Sequence, residues 1–308
     1  MAGSKVKMQR VFLTGCTGEI GSRLTKNLLH AGYEVFGVRG SRNCSINHPK
    51  HVCETFDFLN GMTPIGLIDS NSEILIHTAW FTAPNEFWSS DKNESWVNAS
   101  KGLIDEFVTQ GGKYVVVTGS CAEYSWNLSQ PLSEDSLEQP ATIYGRAKLE
   151  LLNWLRQGTV DFLWTRTFFQ FGMNESTGRL IPTMIDNFSN GRDFVVRSGE
   201  DARDFVFVED VARVLTLLIS QNHKGVVNIG TGIETKVSTL SELIAAKFGF
   251  EDMLRFESTS DHISSVVSDV NKLEKLIGRF PWTPLEIALE KTIAARRQKA
   301  EFKTDARY

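Results

Sequence analysis

A short apolar run, Val11–Leu13, leads into Thr14-Gly15-Cys16-Thr17-Gly18-Glu19-Ile20-Gly21. The next apolar residues, Leu24, Leu28 and Leu29, fall at helical spacing and stop at Ala31-Gly32. A strand, a turn with a glycine at every third position, and a helix closed by a left-handed glycine make up one half of a βαβ unit. The spacing gives each glycine a task. Gly15 permits the tight turn, Gly18 lets the backbone approach a pyrophosphate, and Gly21 lets helix and strand pack closely. Unsatisfied N–H groups at the helix start then form an anion site. Gly15, Thr17, Gly18, Glu19, Ile20 and Gly21 are therefore expected to hold a dinucleotide.

The rest of the chain continues the alternation that such a unit begins. Tyr33–Val38, Val52–Phe56, Ile74–His77, Tyr114–Thr118 and Phe162–Thr165 read as strands. Several are apolar at consecutive positions, as expected of parallel strands covered on both faces. Helical periodicity separates them around Trp96–Phe107 and Ala147–Leu155. The expected fold is α/β: a Rossmann-type doubly wound parallel sheet with a smaller C-terminal α/β lobe. Residues 1–170 are assigned to the dinucleotide-binding domain. Residues 171–308 form mainly the substrate lobe, with a segment at about 203–232 re-entering the larger domain.

Composition narrows the function classes. With 33 basic and 37 acidic residues the chain carries a formal charge of −4, without the basic footprint of a nucleic-acid-binding protein. No uncharged apolar run reaches the roughly 18 residues of a membrane span. Lys5, Lys7 and Arg10 precede only Val11–Leu13, too short a core for a signal peptide. Cys16, Cys44, Cys53 and Cys121 show no metal-ligand spacing, so no metal is expected and a reducing, cytoplasmic setting fits.

An NAD site usually carries an Asp or Glu about 20 residues beyond the turn, to hold the ribose 2′-hydroxyl. Here the second strand ends in Arg39-Gly40-Ser41-Arg42. Guanidinium groups clamp a 2′-phosphate that a carboxylate would repel, so Arg39 and Arg42 point to NADP(H).

Tyr144-Gly145-Arg146-Ala147-Lys148 sets a phenol and an ammonium one helical turn apart. Gly119-Ser120-Cys121-Ala122 puts a hydroxyl at the C-terminal end of the fifth strand, the sheet edge at which ligands bind. Together with Thr14–Gly21, Trp96-Val97-Asn98-Ala99, Arg203-Asp204-Phe205, Asn228-Ile229-Gly230-Thr231-Gly232 and Ser268-Asp269-Val270, these pieces run in order along nearly the whole chain. In that set the chain resembles the extended short-chain dehydrogenase/reductases of the nucleotide-sugar epimerase/dehydratase/reductase family. The resemblance implies that Tyr144 is the general acid at a sugar carbonyl and that Lys148 favours its phenolate and holds the nicotinamide ribose. Ser120 would bind the reacting oxygen, and Asn98 would support Lys148. Asp57 and Phe58 would grip adenine, and Thr78, Ala79 and Trp80 would border the cofactor. Cys121, Ala122, Phe169, Arg179 and Arg203 would meet the nucleotide-diphosphate sugar. A homodimer through the helices bearing Asn98 and Tyr144 is also implied.

Membership leaves several reactions open. The family's dehydratases carry an Asp-Glu pair after the hydroxyl residue, where this chain has Cys121 and Ala122. Its 3,5-epimerase/4-reductases use a cysteine two places after the serine, where this chain has Ala122. Reduction or epimerisation at C4 is left. The arginines after the second strand favour an NADPH-dependent reductase of a 4-keto-6-deoxy sugar, and the closest likeness is to the CDP-abequose and CDP-paratose synthases. Phe169 replaces a common asparagine and suggests an apolar pocket wall. An NAD(P)-dependent epimerase and a non-catalytic NADP(H)-sensing module are the alternatives.

Overall fold

The computed structural model describes residues 9–59, 64–126, 130–257 and 265–305; Lys5 and Lys7 lie outside these segments. Strands β1 (Arg10–Thr14), β2 (Glu34–Arg39), β3 (His51–Thr55), β4 (Ile74–His77), β5 (Tyr114–Ser120) and β6 (Asp161–Thr167) join the Gly225–Ile229 strand in one parallel sheet. From one edge the order is Gly225–Ile229, β6, β5, β4, β1, β2, β3. The strand order reverses between β1 and β4, and the crevice at that point is where a doubly wound sheet receives a dinucleotide.

Helices α1 (Glu19–His30), α2 (Ile65–Ser70), α3 (Lys92–Thr109), α4 (Ile143–Gln157), α5 (Leu180–Ser189) and α6 (Val208–Ser220) supply the cover. One layer, α1 against α6, buries Leu24, Leu28, Val211 and Leu215 with Val11 and Leu13 of the sheet. The opposite layer, α3 and α4, buries Ile104, Phe107, Leu151 and Leu152 with Phe12 and Val117. Each such side chain contributes roughly 1.5–3 kcal/mol on burial. A third cluster, with Phe171, Met184, Phe188, Leu240 and Leu289, lies under α5 and the helices Val237–Ala246 and Leu285–Asp305.

Buried polar residues fasten the lobe to the sheet. The Asp204 carboxylate accepts hydrogen bonds from Thr231 N–H and hydroxyl, Gly232 N–H and Ser268 hydroxyl, at 2.7–2.9 Å. Three of the quoted sequence pieces thus meet on one carboxylate, and the role of Asp204 is architectural. Asp210 likewise accepts from the Thr283 N–H at 2.7 Å. No helix among the described residues is long and apolar enough to cross a membrane.

The sheet also brings cysteines together that the chain keeps apart. Parallel pairing sets Gly37 beside both Leu13 and Cys53. Cys16, from the glycine turn, thereby meets Cys53, and Cys44 and His51 lie beside them at the β1–β2–β3 edge.

Candidate active site

The glycine turn takes the form the spacing predicts. Gly15 has φ +73°, and a side chain there would strike Ala79 N at 2.9 Å. A Cβ on Gly21 would lie 2.1 Å from the Gly15 carbonyl oxygen, so any larger residue would push α1 off the turn. Gly18 caps α1 in an extended conformation with no side-chain cap, leaving the helix-start N–H groups to a ligand. Beside the turn lies a cleft of about 720 Å³, lined by Gly15, Thr17, Gly18, Glu19, Ile20, Gly21, Arg42, Asp57, Phe58, Thr78, Ala79 and Trp80.

One expectation for this cleft is revised. The Arg39 guanidinium folds onto the carbonyls of Gly40 and Arg42, and Arg39 does not line the cleft. Arg42, its side chain reaching toward the Ser176 hydroxyl, does. The Glu19 carboxylate binds Arg23 at 3.0 Å and the Asn174 N–H at 2.8 Å, so it ties the segment after β6 to the turn.

A second cleft, of about 500 Å³, opens from the first. Ile20, Thr78, Trp80, Thr82, Gln170, Glu175 and Arg179 line both. Ser120, Cys121, Tyr144, Lys148, Phe169 and Arg203 line the second. The sequence explains how these groups meet. Ser120 ends β5 and opens the one-turn helix Cys121–Glu123, with its hydroxyl accepting from the Ala122 N–H at 3.1 Å. Thr142 caps α4 by accepting from the Gly145 N–H at 3.0 Å, which places Tyr144 in the first turn. Gly145 then permits the approach of the two segments, since a Cβ on it would lie 2.2 Å from the Ala122 carbonyl oxygen. Ala122 itself is buried against Gly145 and does not line the cleft, contrary to its expected substrate contact.

The Lys148 Nζ donates to the Thr118 carbonyl at 3.0 Å and stands 3.6 Å above the centre of the Trp80 ring. Burial pulls its pKa down to about 7, against the opposing pull of Glu123. Burial pushes the Tyr144 phenol up, while the neighbouring Ser120 hydroxyl favours its ionised form. At neutral pH the phenol therefore holds a proton that it can give. Phe87 and Trp88 pack on the Tyr144 ring at 5.1 and 5.6 Å, and the Trp88 carbonyl accepts the Tyr144 N–H at 3.2 Å. Burial also pushes the Cys121 thiol up, which makes it a poor nucleophile.

Asn98 is not brought to the site. It is exposed, whereas Trp96, two residues and about 200° away around α3, lines the cofactor cleft. The partner expected from Asn98 is supplied for Lys148 by the Thr118 carbonyl. His77 is buried; it contacts the Thr14 hydroxyl at 2.7 Å and the Ser100 hydroxyl at 2.9 Å, locking β1, β4 and α3 together.

Several residues emerge only from the fold. The Glu123 carboxylate, fully buried, accepts the Ser120 N–H at 2.8 Å and pairs with the buried Arg166 at 2.7 Å. Its spacing from Ser120, S-x-x-E, is a readable capping box. The Gln170 carboxamide oxygen is buried at the junction of the clefts and has no partner among the described residues. A polar group of a bound dinucleotide or sugar would satisfy it. Glu175, at the same junction, has its carboxyl pushed up to about 8 by burial, with Arg179 pulling it back, Glu19 adding to the rise and Arg296 opposing. Arg179, expected at the substrate, stands at the same junction with its guanidinium 4.2 Å from the centre of the Phe87 ring.

The family model for the NAD dependent epimerase/dehydratase family matches residues 11–230. UDP-glucuronic acid decarboxylase 1 of Xenopus tropicalis is 25% identical over 99% of this chain and 76% of its own length. GDP-L-fucose synthase 1 of Arabidopsis thaliana is 23% identical over 90% of this chain and 89% of its own. Among solved structures, MoeE5 in complex with UDP-glucuronic acid and NAD superposes with a TM-score of 0.81 at 26% identity, over 94% of this chain and 99% of that one. A matched segment that runs from the first strand through the glycine turn and the Ser120, Tyr144 and Lys148 cleft to Gly230 settles the lineage: the chain belongs to the NAD dependent epimerase/dehydratase family.

Proposed function

We propose that this protein is a nucleotide-sugar oxidoreductase that reduces the C4 ketone of a nucleotide-diphosphate 4-keto-6-deoxy sugar with NADPH. One observation carries the reading: Ser120, Tyr144 and Lys148 line a cleft that opens directly into the cleft at the glycine turn. The unsatisfied N–H groups of α1, the close approach at Gly21 and the unpartnered Gln170 oxygen fit a dinucleotide. When bound, the dinucleotide supplies the hydride. Ser120 orients the ketone oxygen, and Tyr144 donates a proton to it. Lys148, held between Thr118 and Trp80, stabilises the phenolate that remains. Cys121 and Ala122 offer no carboxylate for a second proton abstraction, which disfavours dehydration. Arg203, paired with Asp201 at 2.8 Å, and Arg179 are the cationic groups for the diphosphate. Phe169 and Phe205, packed against each other, form an apolar wall suited to a deoxygenated sugar.

The test is incubation with CDP-, GDP-, UDP- and dTDP-4-keto-6-deoxy sugars and NADPH, following loss of reduced-nicotinamide absorbance and identifying the alcohol formed. No turnover with any member would sink the proposal. A second reading, an epimerase that retains its cofactor, draws support from the NAD in the MoeE5 complex. It requires the purified protein to carry dinucleotide that does not exchange during turnover.

Cofactor choice gives a separate prediction. Arg42→Ala should weaken NADPH binding by roughly 10- to 100-fold, the worth of a charge-assisted hydrogen bond, and leave NADH unchanged. Arg39→Ala should leave the NADPH/NADH ratio nearly intact. Equal dissociation constants for the two cofactors in the unmodified protein would refute the preference.

Lys148 sets a pH dependence. Below about 7 it is charged and stabilises the forming phenolate; above that value it loses the proton and this help. The kcat/KM for reduction should therefore fall as pH rises through about 7. Lys148→Met should lower activity throughout and abolish that inflection, and an unchanged profile in the variant would assign the titration elsewhere.

A further inference from the structure

Away from the two clefts, the β1–β2–β3 edge gathers a second set of chemically reactive side chains. The Cys44 Sγ lies 3.4 Å from the His51 Nε2, and the Cys53 Sγ lies 3.4 Å from the Cys16 Sγ. The donor atoms of Cys44, His51 and Cys53 all fall within 4.8 Å of one another. The other imidazole nitrogen, His51 Nδ1, is 3.0 Å from the Val35 carbonyl oxygen. Since a carbonyl only accepts, Nδ1 carries the proton, and Nε2 presents its lone pair toward the sulfurs.

Room for the cluster comes from Gly37. A Cβ there would lie 2.8 Å from His51 Cε1 and 2.9 Å from Cys16 Sγ, so the imidazole and the thiol converge over the one position of β2 that lacks a side chain. Three of the four cysteines in the chain are collected here, while Cys121 lies apart at the catalytic cleft.

We propose that Cys44, His51 and Cys53 are the core of a Cys3His site for a thiophilic divalent cation of the zinc class, with Cys16, in contact with Cys53, closing in as the fourth ligand when the cation binds. Tetrahedral zinc, with Zn–S near 2.3 Å and Zn–N near 2.0–2.1 Å, requires ligand-to-ligand edges of roughly 3.6–3.8 Å. The Cys44–His51 and Cys16–Cys53 edges, at 3.4 Å, come within a few tenths of an ångström of that requirement; Cys53 lies within 4.8 Å of Cys44 and His51, and Cys16 has to draw closer to them on binding. Three sulfurs and an imidazole with no carboxylate select zinc over calcium or magnesium. The Nδ1–H to carbonyl hydrogen bond is the outer support that metal-bound histidines typically have. A Cys16–Cys53 disulfide would use two of the four groups and leave the pairing of Cys44 with His51 without a purpose.

The position gives the site a consequence. Cys16 stands in the glycine turn itself, and the N–H groups of Gly15 and Cys16 both donate to the Val38 carbonyl, at 2.8 and 3.1 Å. A cation bound by Cys16 and Cys53 would clamp the pyrophosphate-binding turn to β3. Cation and dinucleotide would then favour each other's binding, by the same factor in both directions.

The test begins with unmodified protein, reduced and stripped by chelator, titrated with Co2+. One equivalent should bind and produce the d–d bands of tetrahedral cobalt with thiolate-to-metal absorption of three sulfurs, and Zn2+ should displace it. Cys44→Ser and Cys53→Ser should each weaken binding by at least about tenfold, and Cys121→Ser should bind as the unmodified protein does. The dissociation constant of the dinucleotide should tighten several-fold when Zn2+ is present and should not respond to it in the serine variants. Because the first titration uses no variant, a serine protein that misfolds does not blunt it. Absence of thiolate-to-cobalt absorption in the reduced unmodified protein would overturn the proposal. So would cobalt binding that survives in the Cys44→Ser/Cys53→Ser double variant. Metal-free protein isolated with a Cys16–Cys53 disulfide would overturn it too and assign the pair to redox chemistry.

Discussion

Replacing Tyr144 with phenylalanine is expected to lower turnover by roughly 10²- to 10⁴-fold, the usual worth of a positioned general acid. Dinucleotide binding should survive. The ring is held on two sides by Phe87 and Trp88 and its backbone N–H by the Trp88 carbonyl, so removing one oxygen leaves the cleft wall in place. The contrast between the two measurements is what identifies a proton donor. A module that only senses the dinucleotide would show the same binding and have no turnover to lose. Stopped-flow reduction of a 4-keto sugar, paired with equilibrium titration of NADPH, reads both quantities, and undiminished turnover in the variant would remove Tyr144 from the mechanism. Lys148→Met acts through the same phenol, so the double variant should lose little more than the worse of the single variants.

Glu123→Ala is expected to destabilise the fold by about 3–5 kcal/mol, as loss of one partner from a buried ion pair does. Both Glu123 and Arg166 have 0% side-chain exposure, and the carboxylate also accepts from the Trp164 indole at 3.0 Å. With alanine there, Arg166 keeps Glu138 at 2.5 Å on its other side, but its Nε and the indole N–H are left in a dry interior. Urea unfolding should show the midpoint fall at a nearly constant slope. Glu123→Gln, which preserves an acceptor for the Ser120 N–H, should lose less. Asp161→Ala provides the comparison: its pair with Lys224 is about half exposed on each side and should contribute roughly 0–1 kcal/mol. A midpoint for Glu123→Ala equal to that of Asp161→Ala would refute the assignment.

What the sequence disclosed was what neighbours along the chain decide. The glycine turn, the Tyr144–Lys148 spacing and the hydroxyl at the end of β5 are local patterns, and strand pairing alone brings them to one sheet edge. The strands and helices before residue 170 fall within a few residues of their expected limits for the same reason. Asn98 failed because a motif match carries no phase: α3 turns Val97, Ser100 and Ile104 inward, and that phase leaves Asn98 on the outside. Arg39 failed because a guanidinium beside a flexible turn can satisfy its donors on nearby carbonyls. Glu175, Gln170 and the full importance of Arg179 depend on how the segment after β6 crosses the sheet, which no local pattern encodes. The Cys16, Cys44, His51 and Cys53 cluster is the extreme case, since it exists only once three parallel strands are in register.

The Trp80, Trp88 and Trp96 rings that border the two clefts make the protein its own optical probe. Indole emission overlaps the absorption of a reduced nicotinamide, so entry of a reduced dinucleotide should quench tryptophan fluorescence by energy transfer while the oxidised form quenches far less. Occupancy and oxidation state of the bound nucleotide become readable in real time, without a label, from the light these side chains emit.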